Sequence, residues 1–140
     1  MPEIVVPDAL VLLKWAFGSS DEIDRDNALN LLNAWLDRRV EIILPKLWVF
    51  EVGNVLMLKA PEQVLEIMNI FIGYNFLECE TTLELCKETF KLMKKYGVTF
   101  YDAVYHAVAI LKKGILLTAD DAYCKRISGM TNVMRLKDWR

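Results

Sequence analysis

Histidine and cysteine are scarce in this sequence of 140 residues, and their scarcity excludes several kinds of catalytic site. His106 is the only histidine, so no mechanism is available in which one histidine acts as general base and another as general acid. The three cysteines, Cys79, Cys86 and Cys124, lack the close spacing of a zinc site, and their odd number argues against a disulfide framework. We therefore expect reduced thiols and a cytoplasmic protein.

An excess of positive charge is also missing. The chain has 17 lysines and arginines against 19 aspartates and glutamates, which gives a formal net charge of −2. Because domains that bind duplex DNA tightly are usually basic, the total charge gives no electrostatic case for that function. The negative total charge is still compatible with a local basic patch that binds nucleic acid weakly. Glycine-rich phosphate loops of the GxGxxG and Walker A types are absent as well.

Apolar residues make up 54% of the chain, but they form no run of the roughly 18 to 20 residues that a membrane span needs. The first residues, "MPEIVVPD", lack the basic segment with which a secretory signal begins. The sequence contains no internal repeat, low-complexity segment or linker. We therefore expect one folded domain over residues 1–140 and no association with a membrane.

Short apolar segments alternate along the chain with segments of helical length. Segment 46–59 is apolar nearly all round, so we expect that helix to be buried, and segment 64–77 is hydrophobic enough for either an interface or the core. The alternation predicts an α/β fold, with a mainly parallel central sheet and helices on both faces. We predict strands at 4–6, 41–45, 75–80, 115–118 and 131–136, and helices at 21–39, 46–59, 61–74, 81–97, from 97 to near Gly114, and 121–129.

Most acidic residues belong to solvated helix faces, but three follow predicted strands. Asp8 comes directly after the first strand, and Asp120 and Asp121 follow the strand at 115–118. Each of them fits two roles. Aspartate is a favoured N-cap of a helix, and the carboxyl ends of parallel strands meet at one edge of the sheet, where binding sites form.

Two further acids lie inside apolar segments. Glu51 is in "LWVFEVGNVL", where Asn54 is the only other polar side chain, so it needs an ion pair, a metal or another partner. Asp102 is in "GVTFYDAVYHAVA", and Thr99 with Asp102 matches the [ST]-x-x-[DE] capping box. His106 lies four residues after Asp102, on the same helical face. It is therefore either a partner of that acid or a residue of the core.

If Asp8, Glu51, Asp102 and Asp120 converge, they form a cluster of like charges that cannot stay fully ionised without cations. Carboxylates with no histidine or cysteine beside them are hard oxygen ligands, which suit Mg²⁺ or Mn²⁺. Mg²⁺ held by a few carboxylates and waters is the usual arrangement for phosphate-ester chemistry. The sequence therefore favours a divalent-metal site at the carboxyl edge of the sheet.

Four segments of the chain, in this order, resemble those of PIN-domain proteins: "VVPDALVLLKW", "LPKLWVFEVGNVL", "TFYDAVYHAVA" and "LLTADD". The resemblance is to the VapC type, the toxins of prokaryotic toxin–antitoxin pairs. It implies a three-layer sandwich and an endoribonuclease that uses one or two Mg²⁺ or Mn²⁺ ions. Such an enzyme cuts single-stranded regions of RNA to 5′-phosphate and 3′-hydroxyl ends. The resemblance also implies a cognate antitoxin and a homodimer.

The resemblance further implies roles for individual residues. The family usually has Ser or Thr two residues after the first aspartate, where this chain has Leu10, so a hydroxyl near the acids is missing. Supporting positions match or adjoin Thr118, Asn54 and Asp121. The catalytic, metal-binding acids of the family match Asp8, Glu51, Asp102 and Asp120.

Basic and aromatic residues near the proposed edge are candidates for RNA contacts. The candidates for such contacts are Lys14, Lys112, Lys113, Lys125 and Arg126. Tyr101 and Tyr105 either stack on bases or fill the core.

Two other functions stay open. A phosphoacceptor receiver domain is also α/β with Mg²⁺, but it needs a pair of acids after the first strand, and here only Asp8 stands there. The second alternative is a PIN-like domain that binds RNA or a partner without nuclease activity, which Leu10 makes conceivable.

Overall fold

The computed structural model describes residues 2–17 and 23–139 of the chain. Five strands in this part form one sheet in which every neighbouring pair is parallel. The order across the sheet is β3-β2-β1-β4-β5, so β1 is central, and the predicted parallel sheet is confirmed. The strands are β1 Glu3–Pro7, β2 Val40–Pro45, β3 Leu77–Cys79, β4 Ile115–Thr118 and β5 Val133–Arg135.

Helices cover both faces of this sheet, as the sequence predicts. Helix α6 lies against β1, β2 and β4 and packs on α5, whereas α1 contacts β1 and β4 and packs on α2 and α3. None of the helices in the described ranges combines the length and apolarity needed to cross a bilayer. The helices are α1 Ala9–Ala16, α2 Arg25–Leu36, α3 Trp48–Lys59, α4 Val64–Gly73, α5 Leu83–Tyr96, α6 Phe100–Lys112 and α7 Asp121–Arg126, followed by a 3-10 turn at Leu136–Asp138.

Local sequence accounts for most of these boundaries. Gly97 ends α5 with a φ of +65°, a left-handed conformation that glycine adopts without strain. Gly114 follows α6 because a Cβ there would lie 2.6 Å from Ile4, closer than any side chain allows. Residues 21 and 22, which begin the predicted helix 21–39, lie outside the described residues, and α2 is seen from Arg25 onward.

The central strand explains why the first apolar run is continuous. Val5 and Val6 are fully buried, because a strand in a parallel sheet is covered on both faces. Val5 is aligned with Ile42 of β2 on one side and with Ile115 of β4 on the other. The run therefore places β1 at the centre of the core.

The chain changes direction across the sheet beside β1. Strands β2 and β3 are added on one side of β1, and β4 and β5 on the other. The backbone N–H of Asp8, just after β1, donates to the carbonyl oxygen of Leu117 in β4 at 3.0 Å, so the ends of these strands lie side by side. Ligands of parallel α/β sheets bind at such a reversal, outside the carboxyl ends of the strands.

Helix α3 is only partly buried, so the expectation that its whole circumference is covered is wrong. Val52 and Leu56 are fully buried, but Phe50 is 77% exposed and Leu58 is 75% exposed. An apolar composition predicts that a helix is buried, but it does not indicate whether the same chain or another molecule buries it. Helix α4 packs on α3 and is also open on one side. We name as the α3–α4 apolar surface the exposed side chains of Phe50, Met57, Leu58, Leu65, Ile70 and Ile72.

Candidate active site

A cavity of about 180 Å³ opens at the carboxyl ends of β1 and β4, where the chain reverses across the sheet. Side chains from α1, α3, α6 and the segment after β4 form its wall. The four acids predicted as catalytic, Asp8, Glu51, Asp102 and Asp120, all line it, although separate segments contribute them. The remaining lining residues are Ala9, Leu10, Leu13, Val55, Tyr101, Tyr105, Leu116, Thr118 and Tyr123.

Asp8 is held by donors from two elements. One carboxylate oxygen accepts the backbone N–H of Val11 at 3.0 Å, which makes Asp8 the N-cap of α1. The other accepts the hydroxyl of Thr118 at 2.5 Å. Each oxygen of an ionised carboxylate can accept more than one hydrogen bond. The capping role expected for Asp8 is therefore confirmed. The carboxylate oxygens of Asp8 keep lone pairs that are free to bind a further partner.

Thr118 joins the ends of β1 and β4 through one buried hydroxyl. It donates to Asp8 and accepts the backbone N–H of Asp120 at 2.9 Å. Asp120 in turn accepts the backbone N–H of Tyr123 at 3.1 Å, so it is the N-cap of α7. Of the two acids after β4, Asp120 thus caps the helix and lines the cavity, whereas Asp121 is the exposed first residue of α7.

Glu51 finds its partner on another helix. Its Oε1 accepts the hydroxyl of Tyr105 at 2.7 Å, and Tyr105 is only 2% exposed. Glu51 lies in the first turn of α3, and Tyr105 lies one turn after Asp102 in α6. This hydrogen bond satisfies the half-buried carboxylate without a lysine or arginine.

Asp102 lies in the first turn of α6. Its backbone N–H donates to the hydroxyl of Thr99 at 3.2 Å, so the predicted capping by Thr99 is confirmed. Its carboxylate lines the cavity at the positive end of the helix dipole, a favourable place for a negative charge.

Burial and mutual repulsion raise the pKa values of the clustered acids. Desolvation raises the pKa of Asp8 to about 6, although hydrogen bonds from Thr118 and Val11 lower it, and the charge of Asp120 adds to the rise. Desolvation is also the largest cause of the raised pKa of Glu51 and of Asp102. The charge of Asp102 adds to the rise for Glu51, and the charge of Asp120 adds to the rise for Asp102. Like charges are thus coupled across the whole wall, which favours an added cation.

The donor chemistry of these residues fits a hard divalent ion. All four acids offer carboxylate oxygens, and Mg²⁺ commonly takes one or two carboxylates while it keeps several waters. Within residues 2–17 and 23–139, no three His, Cys, Asp or Glu side chains are placed so that they could hold a metal ion by themselves. An ion in this cavity would therefore be held by one or two of Asp8, Glu51, Asp102 and Asp120, together with water or phosphate oxygens.

The other predicted residues are distributed around this cavity. Leu10 lines the cavity and is 47% exposed. An aliphatic side chain therefore lies in the wall at the position where PIN domains, which the sequence resembles, usually have a hydroxyl. Asn54 is exposed on α3 and is not part of the wall. Asp121 and Lys125 line a separate groove between α7 and β5. The supporting roles of Asn54 and Asp121 stay predictions.

Two of the five predicted RNA contacts adjoin the cavity, whereas Lys112 and Lys113 lie at the opposite end of α6 from Asp102. Lys14 lines a neighbouring groove that shares Leu10 with the cavity wall, and its Nζ donates to the carbonyl oxygen of Ile23 at 2.6 Å. Arg126 donates to the carbonyl oxygen of Gly97 at 3.0 Å. The pKa of Asp102 is raised overall, and the positive charge of Arg126 offsets a small part of that rise. The guanidinium therefore lies within electrostatic reach of the site.

The prediction of His106 as a core residue is confirmed, and its buried hydrogen-bond partners behind the cavity are what the sequence does not indicate. His106 is fully buried, with Nδ1 2.9 Å from the hydroxyl of Tyr123 and Nε2 3.1 Å from Oδ1 of Asn132. With the amide oxygen as acceptor, Nε2 carries the proton and Nδ1 accepts from Tyr123. Burial lowers the pKa of His106, which favours the neutral ring. His106 is therefore a core residue that holds Tyr123, whose ring lines the cavity.

The model of the PIN domain family matches residues 5–129 of the sequence. No match was found among curated protein sequences. Among solved structures, a toxin–antitoxin complex from Klebsiella pneumoniae aligns with a TM-score of 0.69 at 18% identity, over 94% of this chain and 97% of that one. VapBC2 from Rickettsia felis, bound to a DNA fragment from its promoter, aligns with a TM-score of 0.67 at 16% identity, over 94% and 98%.

A third similar structure is Mycobacterium tuberculosis VapC20, described as a toxin that cleaves the sarcin–ricin loop. It aligns with a TM-score of 0.66 at 13% identity, over 92% of this chain and 98% of that one. At these identities the similarity concerns the fold, which the three proteins share with this chain over nearly their whole lengths.

Proposed function

Because the chain belongs to the PIN-domain family, we propose that it is a divalent-metal-dependent endoribonuclease whose active site is the four-acid cavity. The observation that carries the proposal is the convergence of Asp8, Glu51, Asp102 and Asp120 on one wall. The convergence joins segments that are distant in sequence, and the coupled charges make a cation favourable there. We also propose that residues 1–140 are a single PIN domain with Mg²⁺ or Mn²⁺, one or two ions, as its cofactor.

In this mechanism carboxylates of the four-acid cavity would hold the divalent ion beside a phosphodiester. When bound, a divalent ion makes water a stronger nucleophile and offsets charge on the phosphate. Thr118 fixes the orientation of Asp8, and Tyr105 fixes that of Glu51. Fixed orientation matters because a catalytic group that moves by about 1 Å can cost a hundredfold in rate.

Water attacks the phosphorus in line with the 3′ oxygen, and the bond from phosphorus to that oxygen breaks. The products then carry 5′-phosphate and 3′-hydroxyl ends. Attack by the ribose 2′ oxygen would instead leave a 2′,3′-cyclic phosphate. That route is served by paired general acid and base groups, and the sequence contains only one histidine, which is buried and bonded to Tyr123 and Asn132. The chemistry of the cut ends therefore separates the two mechanisms.

The test is to incubate purified protein with single-stranded and structured RNAs and Mg²⁺ or Mn²⁺, and to determine the cut ends. We expect 5′-phosphate ends, loss of cutting in EDTA, and loss of cutting in Asp102→Asn. That variant keeps the shape of the side chain but removes its charge. Cutting that survives both EDTA and Asp102→Asn, or cyclic-phosphate ends, would contradict the proposed chemistry.

We further propose that the enzyme is the toxin of a VapBC-type pair and acts on RNA in the cytoplasm. Two of the similar structures are a toxin–antitoxin complex and a VapBC complex, which supports a protein antitoxin as partner. The α3–α4 apolar surface supports a homodimer or antitoxin contact, because monomers rarely leave so many large apolar side chains in water. The oligomeric state in solution, measured with and without the antitoxin, tests this assignment.

A second candidate function is an RNA- or partner-binding PIN domain without nuclease activity. Leu10 favours it, because it places an aliphatic side chain in the cavity wall. Metal-dependent turnover distinguishes the two candidates. RNA binding without any cutting in Mg²⁺ or Mn²⁺ would support the second.

A further inference from the structure

The solvent side of α5 carries a groove of about 430 Å³, away from the cavity wall. Five residues line it, and each lies three or four positions from another of the five, so they share one side of the helix. Two of them are apolar and still exposed, Leu83 by 86% and Phe90 by 54%. We name as the α5 basic face the residues Leu83, Lys87, Phe90, Lys91 and Lys94.

The α5 basic face is positive although the whole chain is negative, with a formal net charge of −2. It contains three lysines, and Lys91 forms an ion pair of 3.6 Å with Glu88, whose side chain is mostly buried. The Lys91 side chain itself is 65% exposed and remains open to a second anion. The α3–α4 apolar surface has a different character, because α4 contains neither lysine nor arginine.

The α5 basic face leads to the edge of the active-site cavity. Phe90 contacts the ring of Phe100 edge-on, with the centroids 5.9 Å apart, and Phe100 begins the helix that carries Asp102. Arg126 donates to the carbonyl oxygen of Gly97, the C-cap of α5, three residues after Lys94. Positive charge therefore continues from α5 through Arg126 to the mouth of the cavity.

We propose that the α5 basic face binds the backbone of single-stranded RNA, with Phe90 stacking on a base, and guides the strand to the cavity. From Lys87 to Lys94 the helix rises about 10 Å, because each residue adds 1.5 Å. That length covers about three phosphates at the axial spacing of one strand in a duplex. Exposed aromatic rings between cations are the usual components of sites for single strands. The inference names the substrate path of the proposed nuclease and rests on that function.

The test measures RNA binding by the full chain in an Asp102→Asn background, which prevents cutting. The probe is a labelled single-stranded RNA of about 12 nucleotides, within the usual range of single-strand sites. The test variant is K87Q/K91Q/K94Q, and the matched control is K112Q/K113Q/K137Q, which removes the same charge from other exposed lysines. Phe90→Ala tests stacking, and Phe90→Tyr restores a ring.

We expect the test variant to bind at least about tenfold more weakly at low salt, and the control within twofold of the parent. A plot of log K against log salt has a negative slope, and the slope of the test variant should be less steep by about 2. The variant removes three lysines, and each lost phosphate contact on a single strand contributes about 0.7. Phe90→Ala should weaken binding about tenfold or more, by the loss of one stacked base, with recovery in Phe90→Tyr. Equal affinities and slopes in the test and control variants would overturn the proposal.

Failure of the inference and failure of the proposed function are distinguishable. If the parent chain cuts RNA and the test variant binds and cuts as well as the control, the α5 basic face is not the RNA path, but the nuclease function stands. If RNA binding depends on the α5 basic face and no cutting occurs in any metal, the face stands and the nuclease function fails. Loss of antitoxin binding in the test variant, with RNA binding intact, would assign the face to a protein partner and overturn the inference.

Discussion

The hydroxyl of Tyr105 in α6 donates to Oε1 of Glu51 in α3 at 2.7 Å, and this bond joins two walls of the cavity. Tyr105 is almost fully buried, so its ring has one fixed position from which to hold the carboxylate. Burial, and after it the charge of Glu51, raises the pKa of Tyr105, so the phenol stays protonated and donates throughout the physiological range. Glu51 is thereby presented to the cavity in one orientation.

Tyr105→Phe removes this bond and keeps the ring. We expect the rate of RNA cutting to fall about tenfold to a hundredfold, because the carboxylate loses its fixed orientation. The stability loss should be about 1 kcal/mol, the typical contribution of one hydrogen bond. Steady-state kinetics with Mn²⁺ titration and thermal unfolding measure the two effects.

A double-mutant cycle with Glu51→Gln provides the control for Tyr105→Phe, because residues in contact show non-additive effects. If Tyr105 acts through Glu51, the double variant should be little slower than Glu51→Gln alone. Fully multiplicative losses in rate would assign Tyr105 a role that is independent of Glu51.

Thr118→Val replaces the hydroxyl that bridges Asp8 and Asp120 with a methyl group of similar size. We expect a loss of about 1 to 3 kcal/mol in stability, since the backbone N–H of Asp120 and the carboxylate of Asp8 each lose a partner. Cutting should fall strongly, because both acids lose their common anchor. Thr118→Ser keeps the hydroxyl and should retain most activity. Equal activity of the Val and Ser variants would show that the bridge has no part in catalysis.

The acids of the cavity should add stability to the metal-free protein as the pH falls from about 7 toward 5, while buried His106, whose pKa is lowered, contributes in the opposite direction. The pKa values of Asp8, Glu51 and Asp102 are raised in the folded state, so the native chain binds more protons there than the unfolded chain does. Stability decreases as the pH rises wherever the native state binds more protons than the unfolded state. Asp8 alone, raised from 3.8 to about 6, contributes at most about 3 kcal/mol to this change.

Denaturant unfolding at several pH values, in EDTA and in Mn²⁺, measures this dependence. With Mn²⁺ bound, the acids are held ionised, so stability at neutral pH should increase and the pH dependence should flatten or reverse. Asp8→Asn cannot titrate and isolates the contribution of Asp8; a change in stability from pH 7 to pH 5 that is the same in the parent and in Asp8→Asn would contradict the shift assigned to Asp8.

Leu10→Ser places a hydroxyl in the cavity wall where the family usually has one. We expect faster cutting and tighter Mn²⁺ binding, because a hydroxyl can bond to water or to an acid in the wall. The cost in stability should be small, since the leucine side chain is 47% exposed. Leu10→Ala is the matched control, because it shortens the side chain without adding a donor. Equal gains in both variants would mean that bulk at position 10, and not a missing hydroxyl, limits the rate.

Local signals in the sequence predict much of this fold. The strand predicted at 115–118 matches β4, and the helix predicted to end at 97 matches α5, whose C-cap is Gly97. Both rest on short-range physics, a buried apolar run in one case and left-handed backbone in the other. The convergence of Asp8 with Asp120 also follows from sequence, because the ends of parallel strands share one edge.

Other features depend on contacts that no local pattern encodes. Tyr105 and Glu51 are 54 residues apart, and nothing near either residue indicates the other. The exposed side of α3 was missed because apolar side chains such as Phe50 look alike in sequence, whether a core or a partner covers them. Strand order is likewise set by long-range packing, so the alternation of strands and helices leaves it open.

The two capping aspartates give this site an unequal evolutionary fate. Asp8 and Asp120 each start a helix, so a gene copy that no longer needs catalysis still keeps them under selection for folding. Glu51 and the carboxylate of Asp102 start no helix and serve the fold only through one hydroxyl each, from Tyr105 and Thr99, so drift replaces them more readily once the activity is lost. In a lineage of related genes, retention of Glu51 and Asp102 is therefore stronger evidence of a working site than retention of Asp8 and Asp120.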